Sequence, residues 1–169
     1  MTPSAVDKLY REHGHVVLRR ARALLGAEAE ARDVLQDIFV SLLQQPGQLA
    51  GVTRITAWLY RVTTHHCLNQ LRNRRGRSRI LGALAPPSLA AARSEQLAEV
   101  RSLLARLPEP LAEVAVFHHV DGMTYDEIAE VLECSRRHVG YLLQQLREIA
   151  SSEASMSVAG PLWPTEQES

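Results

Sequence analysis

Apolar residues recur every three or four positions along most of the chain, which is the spacing of one buried face of an α-helix. Glycine or proline follows several of these periodic segments, as at Gly26, Pro46 and Pro108, and is expected to end each helix. No segment alternates apolar and polar residues as a half-buried strand would. The sequence therefore predicts an all-α protein. The predicted helices cover about residues 4–25, 27–45, 55–75, 94–106 and 109–120, followed by two more within residues 124–148.

The most informative segment is residues 124–148, which predicts two helices joined by a very short turn. Thr124 and Glu127 have the spacing of a capping box at the start of the first helix, and Ser135 is suited to cap the second. The second helix then begins with three basic residues, Arg136, Arg137 and His138. A helix–turn–helix places this turn in the major groove of DNA. The pattern favours DNA binding over the alternative, an ordinary αα-hairpin with solvated arginines.

A change in composition divides the chain into two predicted helical domains. Residues 79–97, with Pro86 and Pro87 near their centre, are expected to form a flexible linker. The predicted domains are a bundle of three to four helices in residues 1–78 and the helix–turn–helix domain in residues 98–150. Residues 151–169 are rich in Ser, Glu, Pro and Gly and are expected to be disordered. Trp163 is the exception, because a lone aromatic side chain in a tail can dock on another surface.

Charge is distributed unevenly between these domains, although the net charge of the chain is zero. Residues 1–78 hold twelve Lys and Arg against six Asp and Glu, whereas residues 98–150 hold five against nine. The first half is therefore basic, at +6, and the C-terminal domain acidic, at −4. This asymmetry predicts nucleic-acid contact through the basic half. Eighteen of the nineteen basic residues are arginine, which suits bidentate contacts to phosphate and guanine, although a GC-rich genome would give the same bias.

The third predicted helix combines arginines with aromatic residues. Its polar face follows helical spacing through Arg61, Thr64, His65 and Arg72, and its C-terminal end is strongly basic. Trp58 and Tyr60 add aromatic rings, which stack on the bases of single-stranded nucleic acid while guanidinium groups hold the backbone. For Trp58 a place in the core is the favoured interpretation; for the basic cluster, contact with nucleic acid is favoured.

The second predicted helix carries a polar, acidic patch made of Asp33, Gln36 and Asp37, beside the exposed aliphatic residue Val40. Such a patch can dock a partner protein. Taken alone, however, it is better interpreted as an ordinary solvated helix face.

Other kinds of site find little support in the sequence. Cys67 and Cys134 lie far apart and suggest no disulfide framework. Neighbouring histidines on a helix point about 100° apart, so the His-His pairs cannot chelate a metal alone, and we expect neither a metal nor a cofactor. We also expect no enzyme activity, since no nucleophile elbow or phosphate-binding loop is present. Without an apolar signal core or membrane span, the expectation is a cytoplasmic protein with no membrane insertion.

Taken in order, these segments resemble the bacterial sigma-70 family, specifically its compact extracytoplasmic-function (ECF) group. The first domain resembles region two through AEARDVLQDIFVSLL and ITAWLYRVTTHHCLNQLRNRRGR. The second resembles region four through LLARLPEPLAEVAVFHHVDGMTYDEIAEVLECSRRHVGYLLQQLRE. The resemblance covers about residues 5–150 and implies two domains joined by a flexible linker. It further implies an alternative sigma factor that binds core RNA polymerase, recognises promoter DNA and promotes transcription initiation.

The resemblance also implies roles for individual residues. The patch that would dock on the clamp helices of core RNA polymerase, whose flap is a second expected contact, comprises Asp33, Gln36, Asp37 and Val40. The residues that would open and read the upstream promoter box, within residues 48–75, are Arg54, Trp58, Arg61, Thr64, His65, Asn69, Arg72 and Arg75. The residues that would read the distal box are Arg136, Arg137, His138, Tyr141, Gln144 and Gln145. An anti-sigma factor is a further expected partner.

Several residues depart from the pattern of the family. His65 stands where the family usually has asparagine and Asn69 where it usually has aspartate, so no upstream-box sequence is carried over. The recognition helix lacks two or three of the usual cations, which predicts weak DNA binding by this domain alone. Gly140 within that helix costs about 1 kcal/mol relative to alanine. Two alternatives remain: a sigma-like protein that titrates an anti-sigma regulator without initiating transcription, and a simple two-domain DNA-binding repressor.

Overall fold

The computed structural model describes residues 3–81 and 91–158. All regular structure in these ranges is helical, which confirms the all-α prediction. A 3₁₀ turn, Pro46–Leu49, precedes α3, and a π-helical turn, Val116–Val120, continues α5. The helices are α1 (Pro3–Leu25), α2 (Glu28–Gln44), α3 (Ile55–Leu81), α4 (Ala91–Leu104), α5 (Glu109–Ala115), α6 (Tyr125–Leu132) and α7 (Arg136–Val158).

Helices α1, α2 and α3 pack together as the N-terminal bundle. Gly26, with φ of +73°, gives the left-handed backbone that turns the chain from α1 into α2. Each helix buries an apolar stripe, because its apolar residues recur at helical spacing. The fully buried side chains of this core include Val17, Ala21, Val34, Ile38, Leu42, Leu59 and Leu68.

Helices α5, α6 and α7 form the core of the C-terminal domain, with Phe117, Ile128 and Val139 fully buried between them. The predicted capping box is present: the Thr124 backbone N–H donates to the Glu127 carboxylate at 2.7 Å, and the Glu127 N–H donates to the Thr124 hydroxyl at 3.3 Å. These bonds fix the start of α6.

The second helix of the helix–turn–helix begins as its sequence predicted. The Ser135 hydroxyl accepts from the His138 backbone N–H at 3.2 Å, so Ser135 caps α7. Between the two helices, Glu133 adopts a left-handed conformation with φ of +53°. The helix–turn–helix is therefore built by local bonds that the sequence pattern indicated.

Two helices extend beyond their predicted ends. Helix α3 continues to Leu81 instead of ending near residue 75, and α7 continues to Val158 instead of ending near residue 150. Residues 151–158, which the sequence predicts to be disordered, belong to α7 and contain no proline or glycine to break the helix. The centre of the predicted linker, residues 82–90, and the rest of the tail with Trp163 lie outside the described residues.

The two domains are in contact with each other. Helix α3 packs against α4, α5 and α6, so one helix of the N-terminal bundle forms most of the boundary. At a second point, the Arg101 guanidinium of α4 donates to the carbonyl of Leu24 at 2.7 Å, at the C-terminal end of α1. Among the described helices, none has both the length and the apolar character needed to cross a lipid bilayer.

Candidate nucleic-acid interface

Helix α3 divides its residues between two faces. Its apolar face, which includes Leu59, Cys67 and Leu68, is buried in the N-terminal bundle. Burial raises the pKa of the Cys67 thiol to about 12, so this cysteine stays protonated and acts as an apolar residue. The polar face carries Arg61, His65 and other candidate DNA-binding residues, and it is turned towards the C-terminal domain.

A chain of hydrogen bonds runs along this polar face. The Asn69 amide nitrogen lies 2.9 Å from His65 Nε2, and the Asn69 amide oxygen accepts from Arg72 Nη1 at 2.8 Å. With Nε2 as acceptor, His65 carries its proton on Nδ1, which lies 2.5 Å from the Glu109 carboxylate of α5. The two departures from the family pattern, His65 and Asn69, are therefore hydrogen-bonded to each other.

Trp58 lies at the edge of the N-terminal core and is half-buried. It lines a cleft between the domains together with Arg54 and Arg61 of the N-terminal domain and Glu130 and Val131 of α6. The indole ring is therefore less buried than the core position that the sequence favours, and less exposed than stacking on a base requires.

Thr64 does not fit its expected role in this arrangement, because it is fully buried. Its hydroxyl donates to the Tyr60 carbonyl at 2.7 Å and accepts two hydrogen bonds from the Arg20 guanidinium, at 2.7 and 2.9 Å. Helical spacing in α3 predicts that Thr64 lies on the same face as Arg61 and His65. It does not indicate that Arg20 of α1 covers Thr64 and donates hydrogen bonds to its hydroxyl. Arg75, also expected to contact DNA, is half-buried and lines a cleft with Leu25, Leu71 and Arg101.

The candidate docking patch on α2 is exposed to solvent. Asp33, Gln36, Asp37 and Val40 are all exposed, while Val34, Leu35, Ile38 and Phe39 face the core. An apolar groove beside the patch is lined by Tyr10 and Leu43 among others, and both side chains are about half exposed. Carboxylates beside an apolar groove offer both charge and apolar area to a partner helix.

The N-terminal turn of α7 is also exposed. Arg136, Arg137 and His138 all face solvent, and Arg136 forms an exposed pair with Asp126 at 3.6 Å. The following turn adds Tyr141, whose hydroxyl accepts from the Gln145 amide at 2.8 Å, and the exposed Gln144. The six candidate distal-box residues are therefore grouped on the first two and a half turns of one helix.

The sequence did not predict one group of possible metal ligands among the described residues, because its members lie in different domains. The ligand atoms of His65, Glu109 and Glu113 all lie within 4.8 Å of one another. Burial, and then the neighbouring Glu109 carboxylate, raise the pKa of Glu113. Arg72 lies 3.6 Å from Glu109, and this guanidinium opposes a second cation there. The group is better explained by the contact of His65 with Glu109 and the Arg72–Glu109 ion pair than as a metal centre.

Comparison with known sequence families identifies both domains. The family described as Sigma-70 region 2 matches residues 9–77, and the family described as Sigma-70, region 4 matches residues 97–149. The two matches occur in the order that the sequence suggested.

Among curated proteins, the RNA polymerase sigma factor CnrH of Cupriavidus metallidurans is 31% identical, over 80% of this chain and 78% of that protein. The RNA polymerase sigma-H factor of Pseudomonas aeruginosa is 26% identical, over 77% and 76% of the two chains. The ECF RNA polymerase sigma factor SigE of Mycolicibacterium smegmatis is 30% identical over 88% of this chain, and the match spans 63% of its own length.

Among solved structures, CnrH in complex with the cytosolic domain of CnrY superposes with a TM-score of 0.55 and 24% identity. The superposition covers 94% of this chain and 92% of that one. This similarity extends through both helical domains and supports the same overall fold.

Proposed function

This chain belongs to the ECF group of the bacterial sigma-70 family, and we propose that it directs core RNA polymerase to promoters through three separate surfaces. The observation that carries the proposal is the occurrence of region two and region four, in order, around the basic helix α3. Sequence choice and opening of the duplex are binding events, so the proposed activity requires no catalytic group in this chain.

The first proposed surface is the α2 patch, which would dock on the clamp helices of core RNA polymerase. Asp33 and Asp37 are one helical turn apart and both exposed, so they present two carboxylates in one direction. Val40 and the neighbouring apolar groove supply the area that would become buried. Docking would therefore combine charge complementarity, which sets orientation, with apolar burial, which gives most of the affinity. The flap of the polymerase is the proposed contact of the C-terminal domain.

The second proposed surface is the polar face of α3, which would open and hold the upstream promoter box. Arg54, Arg61 and Arg72 would contact the backbone, and Trp58 would stack on an unpaired base, worth roughly 1–3 kcal/mol. His65 and Asn69 would face the bases with a side-chain pair unlike that of most relatives. The base preference at this box would differ accordingly.

The third proposed surface is the exposed start of α7, which would read the distal promoter box in the major groove. Arg136 and Arg137 are suited to phosphate or guanine contacts, and Gln144 and Gln145 to adenine edges. The surface carries few cations, so we expect this domain to select DNA only while the polymerase holds it in place. An anti-sigma factor would act by covering one or more of these three surfaces.

Run-off transcription tests the proposal directly. Purified core enzyme is combined with the full chain and a pool of genomic fragments, and the products are sequenced. We expect promoter-specific transcripts that share two upstream boxes. Failure to obtain any specific product across the genome would contradict the proposal and favour the alternative of a sigma-like protein that only titrates a regulator.

The docking surface has its own test, in which Asp33 and Asp37 are both replaced by alanine. The double variant should bind core polymerase at least about tenfold more weakly, since truncating one partner of a charge pair that becomes buried at an interface costs about 2 kcal/mol or more. Binding is measured by titration of labelled core enzyme. The matched control replaces Asp7 and Glu12, exposed acidic residues of α1, and should bind normally. Equal binding by the docking variant and the control would rule out this surface.

A further inference from the structure

An apolar groove lies on the C-terminal domain, between the start of α5 and the middle of α7. Its volume is about 500 Å³, which is within the range of about 300–1,000 Å³ that is typical of sites for small ligands. Leu111 and Leu142 form its floor and are 5% and 7% exposed, and Ile149 is partly buried beside them. The lining residues all belong to α5, to α7 and to the residue before α5, so the groove is built within one domain.

The two rims of the groove are exposed to solvent. Pro108 and Pro110 form one rim, and both proline rings are exposed. The other rim belongs to α7 and carries Glu148 and Ser152, which are also exposed. An apolar floor with a partly polar rim is the usual arrangement of a docking site. The groove therefore offers apolar area to an occupant of about the size of an aromatic side chain and its neighbours.

The chain that follows α7 contains a segment with matching chemistry. Residues 161–164 read Pro-Leu-Trp-Pro, and Trp163 is the only aromatic residue after Tyr141. An aromatic side chain of this size buries about 150–250 Å² when it docks in an apolar site. The two flanking prolines restrict the backbone of the free segment, so less conformational entropy is lost when the segment becomes ordered.

Trp163 is close enough along the chain to reach this groove. Helix α7 ends at Val158, and at about 1.5 Å per residue Ser152 and Ile149 lie about 9 and 14 Å back along its axis. Trp163 follows five residues after Val158, which is a reach of about 17 Å for extended chain. The dipeptide at residues 160–161, Gly-Pro, is typical of the turn that a reversal of direction requires. The segment can therefore fold back along α7 and place its indole ring beside Ile149.

The rim of the groove also offers a partner for the polar atom of the indole ring. A buried tryptophan usually donates its Nε1–H to a hydrogen-bond acceptor. The Glu148 carboxylate accepts one hydrogen bond from the Gln144 amide, at 3.2 Å, and keeps lone pairs for a second donor. An apolar floor with a carboxylate at its edge thus matches the ring and the N–H of Trp163, whereas Leu162 would use only the floor.

We propose that residues 161–164 bind in this groove of their own chain, with the Trp163 ring between Pro108 and Ile149. The proposal goes beyond the proposed function, because the groove shares only Gln145 with the three surfaces described above. Since the segment is tethered by a short stretch of chain, its effective concentration at the groove is on the order of millimolar. A partner protein that uses the groove must therefore displace the segment first.

The test follows the fluorescence of Trp163 in the full chain with Trp58→Phe, where Trp163 is the only tryptophan. We expect emission at shorter wavelength, and weaker quenching by acrylamide, than in the same protein unfolded in urea. Adding Ile149→Glu and Ser152→Glu places two charges in the groove and should move the emission to the wavelength of the unfolded protein. The matched control, Ala150→Glu with Ser151→Glu, adds the same charge to exposed positions of α7 outside the groove and should leave the emission unchanged.

A second measurement leaves the groove itself intact, because Ile149 also packs against the core of the domain. In the otherwise unsubstituted chain, Trp163→Ala should shift the amide NMR signals of Leu111, Leu142 and Ile149. The control Gln167→Ala changes a polar residue of the same tail and should leave these three signals in place.

Three results would overturn the proposal. Emission of Trp163 at the wavelength of the unfolded protein, together with groove amides that do not respond to Trp163→Ala, would leave the groove open to a partner protein. Equal emission shifts in the groove variant and its control would place the indole ring elsewhere. Emission that moves to longer wavelength on dilution would show that the ring binds a second copy of the chain.

Discussion

Arg20 is a buried cation whose hydrogen bonds go to two residues in different domains. Its planar guanidinium donates to the Thr64 hydroxyl and to both oxygens of Asp121, an arrangement that the single ammonium of lysine cannot reproduce. Its partners lie 44 and 101 residues away in the sequence. No local pattern identifies such a contact, which is why the resemblance to the family assigns Thr64 a role at the DNA and assigns Arg20 none.

Gly140 offers a prediction at the scale of a single residue. It lies within α7, and a Cβ added there would be 3.8 Å from the Tyr125 ring, an ordinary contact. Replacement by alanine should therefore raise the free energy of unfolding by about 1 kcal/mol, because alanine has the higher helix propensity. Urea denaturation followed by circular dichroism measures the change.

The contrasting control for this prediction is Gly122→Ala. Gly122 has φ of +68°, where a side chain is strained, so this change should lower the free energy of unfolding. If Gly140→Ala were instead destabilising, α7 would have to depart from regular helical packing at this position.

At the scale of helices, the sequence predicted every long element but not every end. The start of α6 followed from the capping box, and the turn after α1 followed from Gly26, since both signals act within a few residues. The sequence does not predict the far ends of α3 and α7, because the residues there have the composition of a linker and a tail. The π-helical turn Val116–Val120 was also missed, because no sequence signal separates it from the helix before it.

The capping box makes the helix–turn–helix sensitive to a single hydroxyl. Thr124→Ala removes the acceptor for the Glu127 N–H and should lower the free energy of unfolding by about 1 kcal/mol. Thermal or urea unfolding of the full chain would show the loss. Thr56→Ala, an exposed threonine in α3, is the control and should have a smaller effect. Equal losses from both changes would mean that the cap contributes nothing beyond ordinary helix propensity.

The same box predicts a dependence on pH. Hydrogen bonds from the Thr124 backbone and side chain lower the pKa of Glu127 from its ordinary value of 4.5. A depressed carboxyl pKa contributes stability that is present above the unfolded pKa and lost as pH falls through the folded one. The unfolding free energy should therefore fall on acidification below about pH 4.5. The fall should be smaller in Glu127→Gln, and equal pH profiles would exclude this contribution.

At the scale of the whole molecule, the charge asymmetry of the sequence has two consequences. Residue counts alone show a basic first half and an acidic second half, and this asymmetry predicts nucleic-acid contact. In the folded chain several of these charges pair across the domain boundary. Counts could not reveal this pairing, because it depends on how α3 meets α5 and α6, which is determined by tertiary packing.

The ion pair between Arg20, which is buried, and Asp121, which is partly buried, should decide whether the domains stay together. Replacing Asp121 with alanine leaves a buried guanidinium without its carboxylate, which costs roughly 3–5 kcal/mol if the domains remain closed. The other cross-domain pairs are partly exposed and contribute about 0–1 kcal/mol each. Separation of the domains hydrates Arg20 and costs less, so Asp121→Ala should open the molecule without unfolding either domain.

Trp58 reports this opening, because it lies half-buried in the cleft beside Glu130 and Val131. In a Trp163→Phe background Trp58 is the only tryptophan. Its fluorescence should shift to longer wavelength and become easier to quench with acrylamide in Asp121→Ala, while far-ultraviolet circular dichroism stays constant. Asp126→Ala, which removes an exposed carboxylate from the same domain, should leave the emission unchanged. A constant Trp58 signal with a lower unfolding free energy would mean that the domains stay closed around an unpaired arginine, and that apolar packing holds them together instead.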